Sequence, residues 1–89
     1  MRICIIDGNE IETRDMLHDI LSKALDFPEW YGRNLDALYD CLTDAGEETD
    51  LQFWNQDALE SHLGSYAKAL VKVVRAAAKE NAGIRLEFY

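Results

Sequence analysis

Three short strand-like segments stand far apart in this chain, and each pair is separated by two helical patterns, never by a two-residue hairpin turn. Parallel strands require such crossovers, whereas antiparallel neighbours can be joined directly. The pattern therefore predicts an α/β sandwich, a three-stranded parallel sheet packed with four helices, with one sheet face left open or half covered. A chain of 89 residues has room for one core, so residues 1–89 are expected to form a single domain.

The segments are legible one by one. Arg2-Ile3-Cys4-Ile5-Ile6 is a continuous apolar run ended by Asp7-Gly8, the pattern of a strand covered on both faces and hence central or parallel. Thr13 is placed to cap a helix over 14–25, with Met16, Leu17, Ile20, Leu21, Ala24 and Leu25 as its buried face and His18 on its polar side. Phe27-Pro28 stops it. Asn34 is placed to cap a second helix over 35–44, whose inward stripe is Leu35, Leu38, Cys41 and Leu42. Leu51–Trp54 suits a second strand, and Asn55 or Asp57 a cap for a short helix ending at Leu63. The longest helix, over 66–81, turns Tyr66, Leu70, Val73, Val74 and Ala77 inward. Ile84, Leu86 and Phe88 then alternate with Arg85, Glu87 and Tyr89 as a strand with one buried face.

Charge narrows the function classes. Nine basic residues stand against 17 acidic ones, a net charge of -8, which disfavours a duplex-binding protein that must neutralise phosphates. No apolar run approaches the roughly 20 residues of a membrane span, and none forms a signal-peptide core. Cys4 and Cys41 sit among apolar neighbours and read as buried thiols in a cytoplasmic protein. An acidic surface can serve solubility alone. Here, however, residues 26–50 hold eight carboxylates and a single base, Arg33, so nearly all of the net charge lies on this stretch and its field has a direction.

Within that stretch Asp36, Asp40 and Asp44 recur at intervals of four, which stacks them on one helix face opposite the leucine stripe. Like charges at this spacing cost a few tenths of a kcal/mol per pair. Asp40 and Asp44 are further opposed by the C-terminal end of the helix dipole, by about 0.3 to 1 kcal/mol each. Lysine would solvate the same face without these costs, so the ridge asks for a functional reason; a tolerated wet helix face is the plain alternative. Trp30 and Tyr31 precede the helix on a loop, and such side chains make good binding anchors, although either can instead fold back into the core. Tyr39 flanks Asp36 and Asp40 and extends the same surface.

No catalytic or metal-binding arrangement emerges. Three aspartates on a convex helix offer no flanked cleft, there is no EF-hand loop, and neither His18 nor His62 has a zinc-spaced partner. A cofactor motif is likewise missing. Lys68, Lys72, Arg75 and Lys79 form a basic stripe on the last helix that reads as a solvated outer face.

At Pro28-Glu29-Trp30-Tyr31-Gly32-Arg33-Asn34-Leu35-Asp36-Ala37-Leu38-Tyr39-Asp40-Cys41-Leu42-Thr43 the sequence resembles the barstar family, intracellular inhibitors of secreted barnase-type ribonucleases. The likeness extends more loosely over the whole chain, through Leu17-His18, Trp54 and Val73 to Arg75. It implies a non-enzymatic protein that binds one to one, without cofactor or metal, and plugs a ribonuclease active site with its second helix and the loop before it. By that resemblance Asp40 takes the place of a substrate phosphate, Asp36 is the first helix aspartate, and Trp30 and Tyr39 are the loop and helix aromatics. Gly32, Asn34, Leu35 and Thr43 match positions that approach the enzyme, and Tyr31 and Asp44 complete the expected binding residues. Departures are visible too: barstar has a tyrosine at the position of Trp30, tryptophans at those of Tyr39 and Ala45, and a glutamate at that of Ala76. The acidic loop Asp44 to Asp50 is expected to supply replacements. The competing use of the same surface is an acidic module that masks a basic, non-nuclease partner.

Overall fold

A computed structural model describes residues 1–89. The elements run β1 (Arg2–Asp7), α1 (Arg14–Ala24), α2 (Leu35–Thr43), β2 (Thr49–Trp54), α3 (Gln56–Leu63), α4 (Ser65–Glu80) and β3 (Ile84–Phe88). The sheet has the order β1-β2-β3, with both pairings parallel, so each step along it is a crossover through two helices. This is the predicted three-stranded, four-helix α/β architecture. No helix is long and apolar enough to cross a membrane.

Strand placement differs from the sequence pattern in one respect. The apolar run of β1 suggests a strand covered on both faces, yet β1 is an edge strand, and Ile3 and Ile5 are 55% and 53% exposed. The centre belongs to β2, where Thr49, Asp50, Leu51 and Phe53 are all buried. Helices cover one sheet face only; Cys4, Ile6, Leu51, Phe53 and Ile84 point into it, and the residues between them line the open face. An apolar run does not tell an edge strand with an uncovered apolar face from a central one.

Below the covered face lies one core, built from Leu17 and Leu21 of α1 and Leu25 just after it, Leu38 and Leu42 of α2, and Leu70, Val74 and Ala77 of α4. Each fully buried leucine of this kind contributes about 1.5 to 3 kcal/mol. Met16, expected on the buried face of α1, is exposed, and His18, expected on the polar side, is buried. The helix is rotated so that 17, 18, 21 and 25 face inward, a spacing the periodicity permits equally.

Two polar clamps fix the ends of the segment that carries α2. The Arg2 guanidinium donates to the Leu25 carbonyl oxygen just after α1 and pairs with Glu47 at 3.0 Å. Asn81, at the end of α4, donates from Nδ2 to the Leu42 and Ala45 carbonyl oxygens at 2.9 and 3.1 Å, satisfying acceptors that the C-terminus of α2 leaves open. Asn55 does precede α3, but with φ at 55° and its side chain turned away to donate to Asp7 Oδ1 at 2.9 Å, so it bridges β1 and β2 ends rather than capping α3.

Of the five glycines, Gly8 lies closest to neighbouring backbone. A Cβ there would collide with the Asn55 carbonyl oxygen and the Leu59 amide nitrogen, whereas a Cβ on Gly46 would meet nothing within 4 Å. Gly8→Ala is therefore expected to destabilise the protein by about 1 to 3 kcal/mol through overpacking. Gly46→Ala should leave the stability within about 1 kcal/mol of wild type. Urea unfolding of the two variants, with unchanged slopes, checks the contrast.

Candidate functional site

The site is built where the 28–34 loop enters α2. Asn34 has extended backbone, φ −143° and ψ 171°, and its Oδ1 accepts from the Ala37 amide at 2.8 Å, so it is the N-cap the sequence suggests. Asp36 lies in the first turn, where the helix dipole favours it. Four-residue spacing then carries Asp40 and Asp44 along the same outward side, and all three carboxylates are exposed. Leu38 and Leu42 occupy the opposite, buried side.

None of these three aspartates has an intrachain cation. The single base of the acidic stretch, Arg33, faces the other way: its guanidinium pairs with Asp19 at 2.9 Å and donates to the Asp15 carbonyl oxygen at 2.9 Å, both on α1. It adopts φ 55° to make that turn. The ridge thus keeps its full negative charge, and no group of three or more His, Cys, Asp or Glu side chains is arranged to hold a metal ion.

Asp40 is central in a literal sense. On its loop side lies a cleft of about 480 Å³ shared with Trp30, Tyr31, Gly32, Thr43 and Asp44. On its other side a groove of about 370 Å³ runs between α2 and α4, where Leu35, Asp36 and Tyr39 face Lys72, Val73 and Ala76. Asp40 therefore borders both depressions. Gly32 matters by its size, since a Cβ would come within 3.1 Å of Asn34 Nδ2 and 3.2 Å of Ala37 Cβ, crowding the cap itself.

The two loop aromatics part company. Trp30 is 81% exposed, and Tyr31 is 7% exposed, its ring 4.8 Å from that of Phe27. Tyr31 hydroxyl lies 2.7 Å from His18 Nδ1, and His18 Nε2 lies 2.8 Å from the Tyr66 hydroxyl. Only Trp30 is then free to anchor a partner broadside, while Tyr31 offers an edge of the cleft. Tyr39, Leu35 and Thr43 are half-buried, and the Thr43 hydroxyl donates back to the Tyr39 carbonyl oxygen at 2.9 Å. Cys41, expected from the sequence to be a buried thiol like Cys4, is instead half-buried and lines the loop-side cleft beside Asp40, because it sits at the margin of the inward stripe of α2. Burial, then Asp40 and Asp44, push its thiol up, whereas burial alone takes Cys4 up to about 12.

Two surrounding expectations change. Asp50 is not a loop residue: it lies in β2, is buried, and accepts from Gln52 Nε2 at 3.1 Å, while Glu47 is paired with Arg2. The loop after α2 is accordingly less charged than its composition suggests. The basic stripe of α4 is exposed, but not uniformly solvated, because Arg75 lies over the Phe88 ring at 4.6 Å and Lys72 borders the α2/α4 groove.

With this geometry in view, relatives become informative. The model of the family described as Barstar (barnase inhibitor) matches residues 1–89. The Bacillus subtilis (strain 168) protein named "Putative ribonuclease inhibitor YrdF" is 46% identical over 81 residues, which span 90% of this chain and 89% of that protein. The chain belongs to the barstar family.

Burial of His18, aided by the charge of Arg33 and opposed by Asp15, holds its imidazole below the ordinary value of 6.5. The unfolded chain therefore takes up a proton first as pH falls, so the stability due to neutral His18 is complete above about pH 6.5 and declines from there towards the lower folded value. Urea midpoints measured at pH 7.5 and 5.5 should drop for wild type and drop less for His18→Gln. Removing the helix cap by Asn34→Ala should cost about 1 kcal/mol at either pH in the same titrations.

Proposed function

We propose that this protein inhibits a ribonuclease by inserting α2 and the 28–34 loop into the enzyme's cationic active-site cleft, one inhibitor to one enzyme. The observation that carries it is the position of Asp40, an exposed carboxylate without an intrachain cation, between two depressions and beside an exposed tryptophan. Ribonuclease active sites gather cationic side chains to hold a phosphate, and a fixed carboxylate competes for them. Membership in a family described by barnase inhibition, and the name of the Bacillus relative, support the same use.

The roles divide by chemistry. Asp40 takes the place of the substrate phosphate, with Asp36 and Asp44 extending the negative field along the cleft. Trp30 supplies buried area at the rim at low entropic cost. Tyr39, Leu35 and Thr43 shape the floor between α2 and α4, and Gly32 with Asn34 lets the enzyme approach the start of the helix closely. The groove wall on α4 presents Lys72 and Ala76 and no carboxylate, so the partner's opposing rim should lack the cation that an acidic α4 residue would meet. Acting in the cytoplasm, such an inhibitor protects the cell that makes the nuclease.

A central, desolvated charge of this kind is a hot spot, so Asp40→Ala should raise the inhibition constant at least about 30-fold, equivalent to about 2 kcal/mol, while Lys79→Ala changes it less than about twofold. The assay uses the nuclease recovered by affinity capture from the native cell. Equal small effects would remove Asp40 from the site, and capture of a basic protein without nuclease activity would favour the masking function instead. Association should slow at least tenfold between about 50 and 500 mM salt, because opposite fields steer the encounter; the barnase–barstar pair is itself the reference case for such steering. A flat salt dependence counts against that mechanism.

A further inference from the structure

The inhibitor function makes no direct use of His18, which is the one buried imidazole in the protein and is 1% exposed. Both of its ring nitrogens are engaged, Nδ1 with the Tyr31 hydroxyl at 2.7 Å and Nε2 with the Tyr66 hydroxyl at 2.8 Å. Three parts of the chain that are distant in sequence, α1, the 28–34 loop and α4, therefore meet at one side chain. We infer that His18 is a positioning residue for the recognition loop: by bridging Tyr31 to Tyr66 it sets the loop against α4 and so sets where Trp30 stands relative to Asp40.

Apart from the packing of the Tyr31 ring against Phe27 in the core, the loop has few other ties. Its Tyr31 amide bonds locally to the Pro28 carbonyl oxygen at 2.9 Å, and Asn34 Nδ2 donates locally to the Gly32 carbonyl oxygen at 3.2 Å. Arg33 reaches α1, but it does so at the surface, where solvent and salt weaken the pairs with Asp15 and Asp19. The hydrogen bond from Tyr31 to His18 is the loop's only buried polar tie to the body of the protein. Buried hydrogen bonds of this type hold geometry because no water is available to replace them.

The bridge forms with the neutral ring, one nitrogen donating and the other accepting, each tyrosine hydroxyl taking the complementary part; an imidazolium can also span the two hydroxyls, donating from both nitrogens. The groups that face it give a cation little help. From the loop side comes Arg33, from α4 Tyr66, from α2 Cys41 beside Tyr31, and from α1 both Arg14, its guanidinium 4.1 Å from the Tyr66 ring centre, and the exposed Asp15, which alone favours the charged ring. Burial, with the charge of Arg33, therefore favours the neutral form of the bridge.

For its effect on binding this inference rests on the inhibitor function proposed above; for its effect on the loop it does not, and the test separates the two. In the free protein, amide hydrogen exchange is followed at Tyr31 and Ala37, whose amides are hydrogen-bonded, and, as reference, at Leu51 and Phe53 of β2. Tyr31→Phe and His18→Leu should each speed exchange of the loop amides at least tenfold relative to the β2 amides, and His18→Gln, which can keep one bond, should recover most of that difference. Loop and β2 amides accelerating by the same factor, or loop exchange as in wild type, would overturn the assignment. Calorimetric titration with the captured nuclease is the second arm. Tyr31→Phe and His18→Leu should each weaken binding at least tenfold at pH 7.5, and His18→Gln less than threefold. A loosened loop with unchanged affinity would also overturn it. If the chain binds no nuclease, the inhibitor function fails, and the exchange arm still decides what His18 does.

Discussion

Parallel pairing of β1, β2 and β3 is the constraint from which the rest of the molecule follows. A parallel neighbour can be reached only by carrying the chain back over the sheet, and each crossover here uses two helices where one would suffice. The first crossover must therefore accommodate both α1 and α2 on a narrow sheet whose other face stays open. β1 and β3 take the edges, α1 lies on β1, and α2 is supported largely by α4 rather than by the sheet. A helix held by one neighbour and by end clamps, Arg2 before it and Asn81 after it, keeps a broad outer side for contact with another protein.

Electrostatics make that exposed side the candidate site. Three aspartates in register oppose one another, and two of them oppose the helix dipole, so the ridge costs stability within the chain. The obvious remedy, an internal counter-ion, is not used: Arg33 is spent on α1 and Lys72 stays on the far side of a groove without forming an ion pair. An uncompensated, preorganised set of carboxylates is a poor arrangement for folding and a good one for meeting a cationic cleft, because no intrachain bond has to break before the partner's cations are engaged. The family to which the chain belongs is described by an activity that such a ridge suits.

Much of the fold was readable from residue patterns, and the failures share a cause. Thr13 and Asn34 accept from Met16 and Ala37 as their types and positions suggest, since capping is decided within three residues. The alternation of Ile84, Leu86 and Phe88 likewise predicts β3 and its buried face. Patterns failed where two arrangements satisfied the same local rule. The apolar run of β1 fits a central strand and an edge strand with an uncovered apolar face. The α1 periodicity fits a buried face with Met16 or one with His18. Trp30 and Tyr31, adjacent and both aromatic, give no local sign of which turns inward; the answer came from His18 and Phe27, which offer Tyr31 a hydroxyl partner and a ring contact that tryptophan's single N–H donor would meet differently.

The acidic helix, its cap, the aromatic loop before it and the alternation of strands with helices are properties of short stretches of chain, and the sequence by itself determined them. Distances along the chain do not report which distant residues will meet. That Asp40 borders a loop-side cleft and an α4-side groove, that Asp50 leaves the acidic loop to be buried in β2, and that His18 joins Tyr31 to Tyr66 were decided only when the crossovers brought α1, the loop, α2 and α4 together. Local propensity acts over three or four residues, whereas a hydrogen bond across 48 positions exists only if burial of the whole core has already placed its two ends.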